Sequence, residues 1–200
     1  GASVRSFLRW ATKRDFLPRE HRLEETLDTQ LVILKEFEVY TPEELSRLLD
    51  HADVRIRLRL AIVALAGLRV AEALRMTREN LRDGYVEVKG AQAKTRARRV
   101  VPVCARLQTY IGSEAEHLAA PWSHGEQYFH RLVKAAHAQA DVEKKDNGLR
   151  HSFCSYRLAL TQDEKKVALE SGNSPEMIHR HYKALVRLED AKAWFGVENG

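Results

Sequence analysis

Residues 147–182, NGLRHSFCSYRLALTQDEKKVALESGNSPEMIHRHY, decide how the rest of the chain is read. Phe153, Tyr156, Arg157 and Leu160 fall in register on a helix over 149–160, and a second short helix runs over 163–170. Gly172-Asn173-Ser174-Pro175 is a polar break that starts a third helix, with Met177, Ile178, Tyr182 and Leu185 on one stripe. Arg150 falls on the buried side of the first of these helices. A guanidinium, a polar turn and a phenol at fixed offsets are groups able to act together on one phosphate.

Upstream, a helix start is written at Thr41. Thr41 serves as N-cap, Pro42 takes the first helical position, Glu44 closes a capping box, and Tyr40 is placed to staple onto Leu45. Leu45, Leu48 and Leu49 supply the buried stripe of that helix. A second helix over 54–66 is apolar nearly all round in its later half, as a central helix is, and Gly67 ends it. Arg69 then opens a short helical segment at the edge of the core, where an unpaired charge is costly. Its counter-anion is either Glu72, three residues on, or a phosphate oxygen.

The period changes next. YVEVKG (85–90) and RRVVPV (98–103) read as the strands of a β-hairpin with a basic tip, AQAKTRA (91–97), and residues 80–82 offer a third short strand. Helices resume over 107–111 and 126–140, and RLEDAKAWFG (187–196) is a small amphipathic helix ending at Gly196.

With 44% hydrophobic and 30% charged residues, the 200-residue chain reads as globular. A net charge of +5 favours a polyanionic partner. The basic residues Arg82, Lys89, Lys94, Arg96, Arg98 and Arg99 gather against only Asp83 and Glu87. With no apolar run long enough for a membrane span and no signal-peptide pattern, a cytoplasmic protein is expected. Cys104 and Cys154 lack any metal-ligand spacing and read as small buried hydrophobes. Residues 3–17 form an amphipathic helix with Val4, Phe7, Leu8 and Ala11 inward, stopping at Pro18. The resulting plan is 1–18 as the end of a preceding domain, 19–40 as a linker and 41–200 as the main domain, mainly α (α+β) with a small antiparallel β-sheet.

Four features occur in an order that resembles the catalytic domain of tyrosine recombinases, the phage integrase family. They are GLRVAE after a buried helix, a basic hairpin with Lys94-Thr95 at its tip, LRHSF opening a helix, and a tyrosine nine residues past a Gly-Asn turn. The similarity covers about residues 41–185. It implies the fold of that domain, and residues 1–18 as the last helix of an otherwise missing core-binding domain. It also implies breaking and rejoining of DNA strands through a 3′-phosphotyrosyl intermediate, for a mobile element, with no metal or other cofactor. The implied partners are double-stranded DNA and further copies of the chain, as a tetramer on DNA, in a cytoplasmic, nucleoid-associated setting. The tail helix would pack on a neighbouring copy or on its own domain.

Carried onto this sequence, the resemblance makes Tyr182 the nucleophile and has Arg69 and Arg150 clamp the scissile phosphate. Lys94 would protonate the leaving 5′-hydroxyl, with Lys89 as the competing choice, and Lys89, Arg96 and Arg98 would contact DNA. The chain departs from the family at two places, having Asn147 and Asn173 where histidine, lysine or tryptophan is usual. Neither asparagine takes a proton near neutral pH, but both can donate a hydrogen bond to phosphate. Each also has a local reading: Asn147-Gly148 as a turn dipeptide, and Asn173 with Glu176 as a helix-capping pair. If the two departures abolish cleavage, the chain is a DNA-binding relative. A helical interaction domain unrelated to DNA is the third reading. For the phenolic proton, His179 is open to a role as acceptor or to a plain surface position, whereas His151 and His181 are expected to point away from Tyr182.

Overall fold

In the computed structural model, which describes residues 2–23, 25, 37–90, 98–182 and 186–197, the chain divides into two units, Gly1–Glu36 and Phe37–Gly200. The first holds helix α1 (Ala2–Lys13), in which Leu8 and Ala11 are buried. Val4 and Phe7, expected on the same stripe, are exposed. Phe7, Trp10 and Phe16 stack on one another at the surface instead, with ring centroids 5.8 and 5.6 Å apart.

The larger unit starts as its sequence dictates. Thr41 Oγ1 accepts from the Glu44 amide at 3.1 Å, Glu44 Oε2 accepts from the Thr41 amide at 2.8 Å, and Pro42 opens helix α2 (Pro42–Asp50). Each of the two residues satisfies an amide that the first helical turn cannot. Tyr40, just before it, is fully buried and ties this entry to the middle of a later helix. Its amide donates to Ser152 Oγ at 2.7 Å and its carbonyl accepts from Tyr156 Oη at 2.9 Å.

Helix α3 (Val54–Ala66) runs through the core, buried almost continuously from Leu58 to Ala66. It ends at Gly67 in the left-handed conformation, φ 66°. Helix α4 (Val70–Leu74) follows, then a short 3₁₀ turn and a three-stranded antiparallel sheet of β1 (Leu81–Arg82), β2 (Tyr85–Val88) and β3 (Arg99–Pro102). Asp83 and Gly84, both at positive φ, form the two-residue turn between β1 and β2, the conformation that matches the twist of the strands. The β2–β3 register sets Val86 opposite Val101 and Val88 opposite Arg99, so Arg99 and Val101 share the inward face. The tip expected over 91–97, which includes Lys94 and Arg96, lies outside the described residues.

Helix α5 (Ala105–Glu114) is longer than its apolar stripe predicts, because Glu114 at its end is buried and drawn into a 2.9 Å ion pair with Arg57. Then come α6 (Glu126–Ala140), α7 (Gly148–Thr161), α8 (Glu164–Ser171), α9 (Pro175–Tyr182) and α10 (Leu188–Phe195). The tail helix α10 packs on its own unit. Trp194 is wholly buried, stacks on Tyr156 at 4.6 Å, and donates its indole N–H to the Ala64 carbonyl at 3.0 Å. Mainly helical architecture with one small antiparallel sheet agrees with the fold expected from the sequence. No helix among the described residues is long and apolar enough to cross a membrane.

Gly67 is the tightest point of this packing. A Cβ there would sit 2.2 Å from the Phe153 ring of α7, whereas one at Gly84 would meet nothing within 4 Å. Both are at positive φ, so Gly84→Ala is expected to cost about 1 kcal/mol, while Gly67→Ala adds overpacking of a further ~1–3 kcal/mol. Urea unfolding of the two variants checks the difference.

Candidate functional site

The C-terminal turn of α3 and the N-terminal turn of α4 place Arg69 as the N-cap of α4. Its backbone amide donates to Glu72 Oε2 at 2.9 Å, and its guanidinium donates to Glu72 Oε1 and to the Gly172 carbonyl, both at 3.1 Å. Glu72 is 2% exposed, and its main partner is a member of the basic cluster noted in the sequence, Arg99. Arg99 donates from its two terminal nitrogens to Glu72 Oε1 and Oε2 (3.2 and 2.5 Å) and from Nε to the Glu170 carbonyl at 3.0 Å. Glu170 in turn takes a bidentate pair from Arg157 at 2.7 and 2.8 Å. Burial pushes the Glu72 carboxyl up, but the hydrogen bond from Arg99, the Arg69 amide and the charges of both arginines outweigh it. The net result is a carboxyl held below its ordinary value.

Arg150, on the first turn of α7, is 9% exposed. One terminal nitrogen donates to the Gly67 carbonyl and the other to Asn173 Oδ1 at 2.9 Å. Burial lowers its pKa, yet a guanidinium keeps its charge in proteins. Arg69 and Arg150 are thus each held from behind by the carbonyl of a helix-terminal glycine, Gly172 after α8 and Gly67 after α3. Each has five N–H donors and uses two in these bonds, leaving the others for an anion. Both line one cavity of about 220 Å³, and Asn147 lines it with them. Asn147 is in the left-handed conformation (φ 51°) at the start of α7, as a turn residue, with its side chain making no cap bond.

Asn173 is not the helix cap that the sequence suggested. Ser174 Oγ accepts the Met177 amide at 3.3 Å, and Asn173 points the other way, into Arg150 and towards Cys154 Sγ (3.9 Å). A buried guanidinium competes for the amide oxygen more strongly than an exposed backbone N–H does. Tyr182, at the end of α9, is 4% exposed. Burial raises its phenol well above the ordinary value, Cys154 adds to this, and the nearby Arg150 charge offsets part of it.

The hydroxyl of Tyr182 lies 2.7 Å from His151 Nδ1. This overturns the expectation that His151 points away from Tyr182, because α9 crosses α7 where residue 151 emerges, an approach no helical period reveals. His179, the acceptor considered from sequence, is engaged at 2.8 Å by Glu164 and is exposed. The side chain of His181 lies outside the described residues. Lys89 and Arg98 sit on the sheet surface, paired with Glu79 at 3.5 Å and Glu87 at 2.7 Å, and do not line the cavity.

No protein-family model matches the chain. It is 30% identical over 143 residues to tyrosine recombinase XerD of Vibrio cholerae, a match covering 61% of this chain and 46% of that protein. The chain therefore spans about half the length of this curated relative. Among solved structures, a lambda integrase (75–356) dimer bound to a COC′ core site has a TM-score of 0.68 at 15% identity. That match covers 93% of this chain and 72% of that one. The catalytic domain of bacteriophage HP1 integrase has a TM-score of 0.57 at 18% identity, covering 73% and 87%. These matches point to the tyrosine recombinase catalytic domain, whose fold this chain has.

Glu72→Gln keeps the shape of the site but leaves Arg99 buried without its counter-charge, and is expected to cost about 3–5 kcal/mol. A carboxyl whose folded value is depressed contributes stability above its unfolded value of about 4.3 and loses it as pH falls through the folded value. Urea titrations of wild type and variant should therefore give a constant gap above about pH 5.5 that closes in acid.

Proposed function

We propose, on the premise of a tyrosine recombinase catalytic domain, that this chain breaks and rejoins double-stranded DNA by metal-independent transesterification at Tyr182. The observation that carries the reading is the shared cavity lined by Arg69, Arg150 and Asn147, with both guanidiniums held from behind. Tyr182 Oη attacks the phosphorus, the bond to the 5′-oxygen breaks, and the 3′-phosphotyrosyl link preserves the bond energy for a later attack by another strand's hydroxyl. Arg69 and Arg150 stabilise the charge that develops on the phosphoryl oxygens, an electrostatic role that needs no further ion. Asn147 donates to the same phosphate, and Asn173 acts on it through Arg150, whose position it fixes.

Lys94 protonates the leaving 5′-oxygen from the hairpin tip, and Lys89, Arg96 and Arg98 supply backbone contacts to DNA. Residues 1–18 are read as the end of a core-binding domain and 41–200 as the catalytic domain; of the linker expected over 19–40, Phe37–Tyr40 belong to the catalytic unit. The biological setting proposed is integration or excision of a mobile element by a homotetramer on DNA. A second reading, a DNA-binding relative impaired in cleavage, is favoured by Asn147 and Asn173, neither of which can carry a proton.

A nicked duplex library of randomised sequence separates the readings. The recombinase reading predicts a covalent protein–DNA adduct on a denaturing gel that is absent in Tyr182→Phe and falls about 10²–10³-fold in rate in Arg150→Ala. Salt-sensitive binding with no adduct supports the impaired relative. Absence of both binding and adduct contradicts either DNA reading.

A further inference from the structure

The phenol of Tyr182 is buried, and burial makes its proton harder to remove. A nucleophile so placed needs a proton acceptor within hydrogen-bond reach. The two asparagines at the family's usual positions cannot serve, and His179 is held by Glu164.

His151 meets the geometric requirement: Nδ1 is 2.7 Å from Tyr182 Oη. Its backbone is held by the helix and its ring by a stacking neighbour. The residue sits on the first turn of α7, its amide bonded to the Asn147 carbonyl at 3.0 Å. Phe37 stacks on the imidazole at 4.0 Å, with an interplanar angle of 15°, and extends over the Tyr182 ring at 5.5 Å. Consecutive residues of one helical turn thus face two parts of the same reaction, Arg150 the cavity and His151 the nucleophile.

Building on the recombinase reading above, we propose that His151 is the proton acceptor for Tyr182. In the neutral tautomer protonated on Nε2, the Nδ1 lone pair receives the phenolic hydrogen as Oη bonds to phosphorus. The bond from phosphorus to the 5′-oxygen breaks, and that oxygen takes its proton from a separate donor. When a strand's 5′-hydroxyl attacks the phosphotyrosyl link, its proton passes to the deprotonated form of that separate donor, and the imidazolium returns its own proton to the departing phenolate. No oxidant, metal or co-reactant enters the balance.

The test measures single-turnover adduct formation on a nicked duplex that wild type cleaves, with DNA binding followed in parallel by gel shift. His151→Gln preserves a hydrogen-bonding group of similar reach but cannot take the proton. The expected result is that His151→Ala and His151→Gln both bind like wild type and cleave about 10²-fold or more slowly. Added imidazole should restore part of the rate of His151→Ala. The defect should also persist on a substrate with a 5′-bridging sulfur, whose leaving group needs no protonation. Wild-type rate in His151→Gln, absence of imidazole rescue, or recovery on the sulfur substrate overturns the assignment, by showing a positioning role or a role at the leaving group. Should wild type form no adduct on any duplex while Tyr182→Phe is equally inert, the recombinase reading itself fails and takes this assignment with it.

Discussion

A single carboxylate, Glu72, buried between Arg69 and Arg99, ties together the elements that frame the proposed site. It fixes β3 to α4 through Arg99, and Arg99 passes the connection to α8 through the Glu170 carbonyl. Glu170 then reaches α7 through Arg157. Burying so many charges is not in itself a route to high stability, since the desolvation cost offsets most of the attraction. What the network supplies is one arrangement: each arginine has its carboxylate or carbonyl, and a slip in any of the four elements leaves a buried charge without a partner.

The same logic separates two kinds of arginine. Arg99 is enclosed and its donors face protein, so its role is to hold the frame. Arg69 shares Glu72 but keeps a side chain 27% exposed, and Arg150 keeps donors towards the cavity while its back is bonded to Gly67 and Asn173. Groups fixed in advance by the fold need not reorganise when charge develops on a bound phosphate, which is where electrostatic catalysis gains most. The glycines belong to this design, because a helix ending in the left-handed conformation at Gly67 lets Phe153 pack close and turns a carbonyl towards Arg150.

Much of the fold was legible in the sequence because it is locally encoded. The capping box at Thr41, the bounds of α3, the glycine stops and the strand pattern all rest on neighbours within a few residues. Arg69, Arg150 and Tyr182 were singled out by the resemblance to the recombinase family, and the structure gives Arg69 the Glu72 partner that the sequence offered while leaving room for a phosphate, since Glu72 bonds it without enclosing it. Arg99 was counted only as one of a basic cluster, although the signal for burial was present: in RRVVPV it shares strand parity with Val101, and the inward face takes both. The role of Asn173 and the contact between His151 and Tyr182 were not legible, because each depends on where one helix crosses another.

The central claim is that Tyr182 alone takes the DNA phosphate, and mapping the covalent link tests it most directly. After reaction with a nicked duplex, nuclease trimming and trypsin digestion, mass spectrometry reads which peptide carries the remaining phosphonucleotide. The expected result is the label on the His181–Lys183 peptide, at Tyr182. A label on a serine, or on a tyrosine elsewhere in the chain, contradicts the assignment of this site.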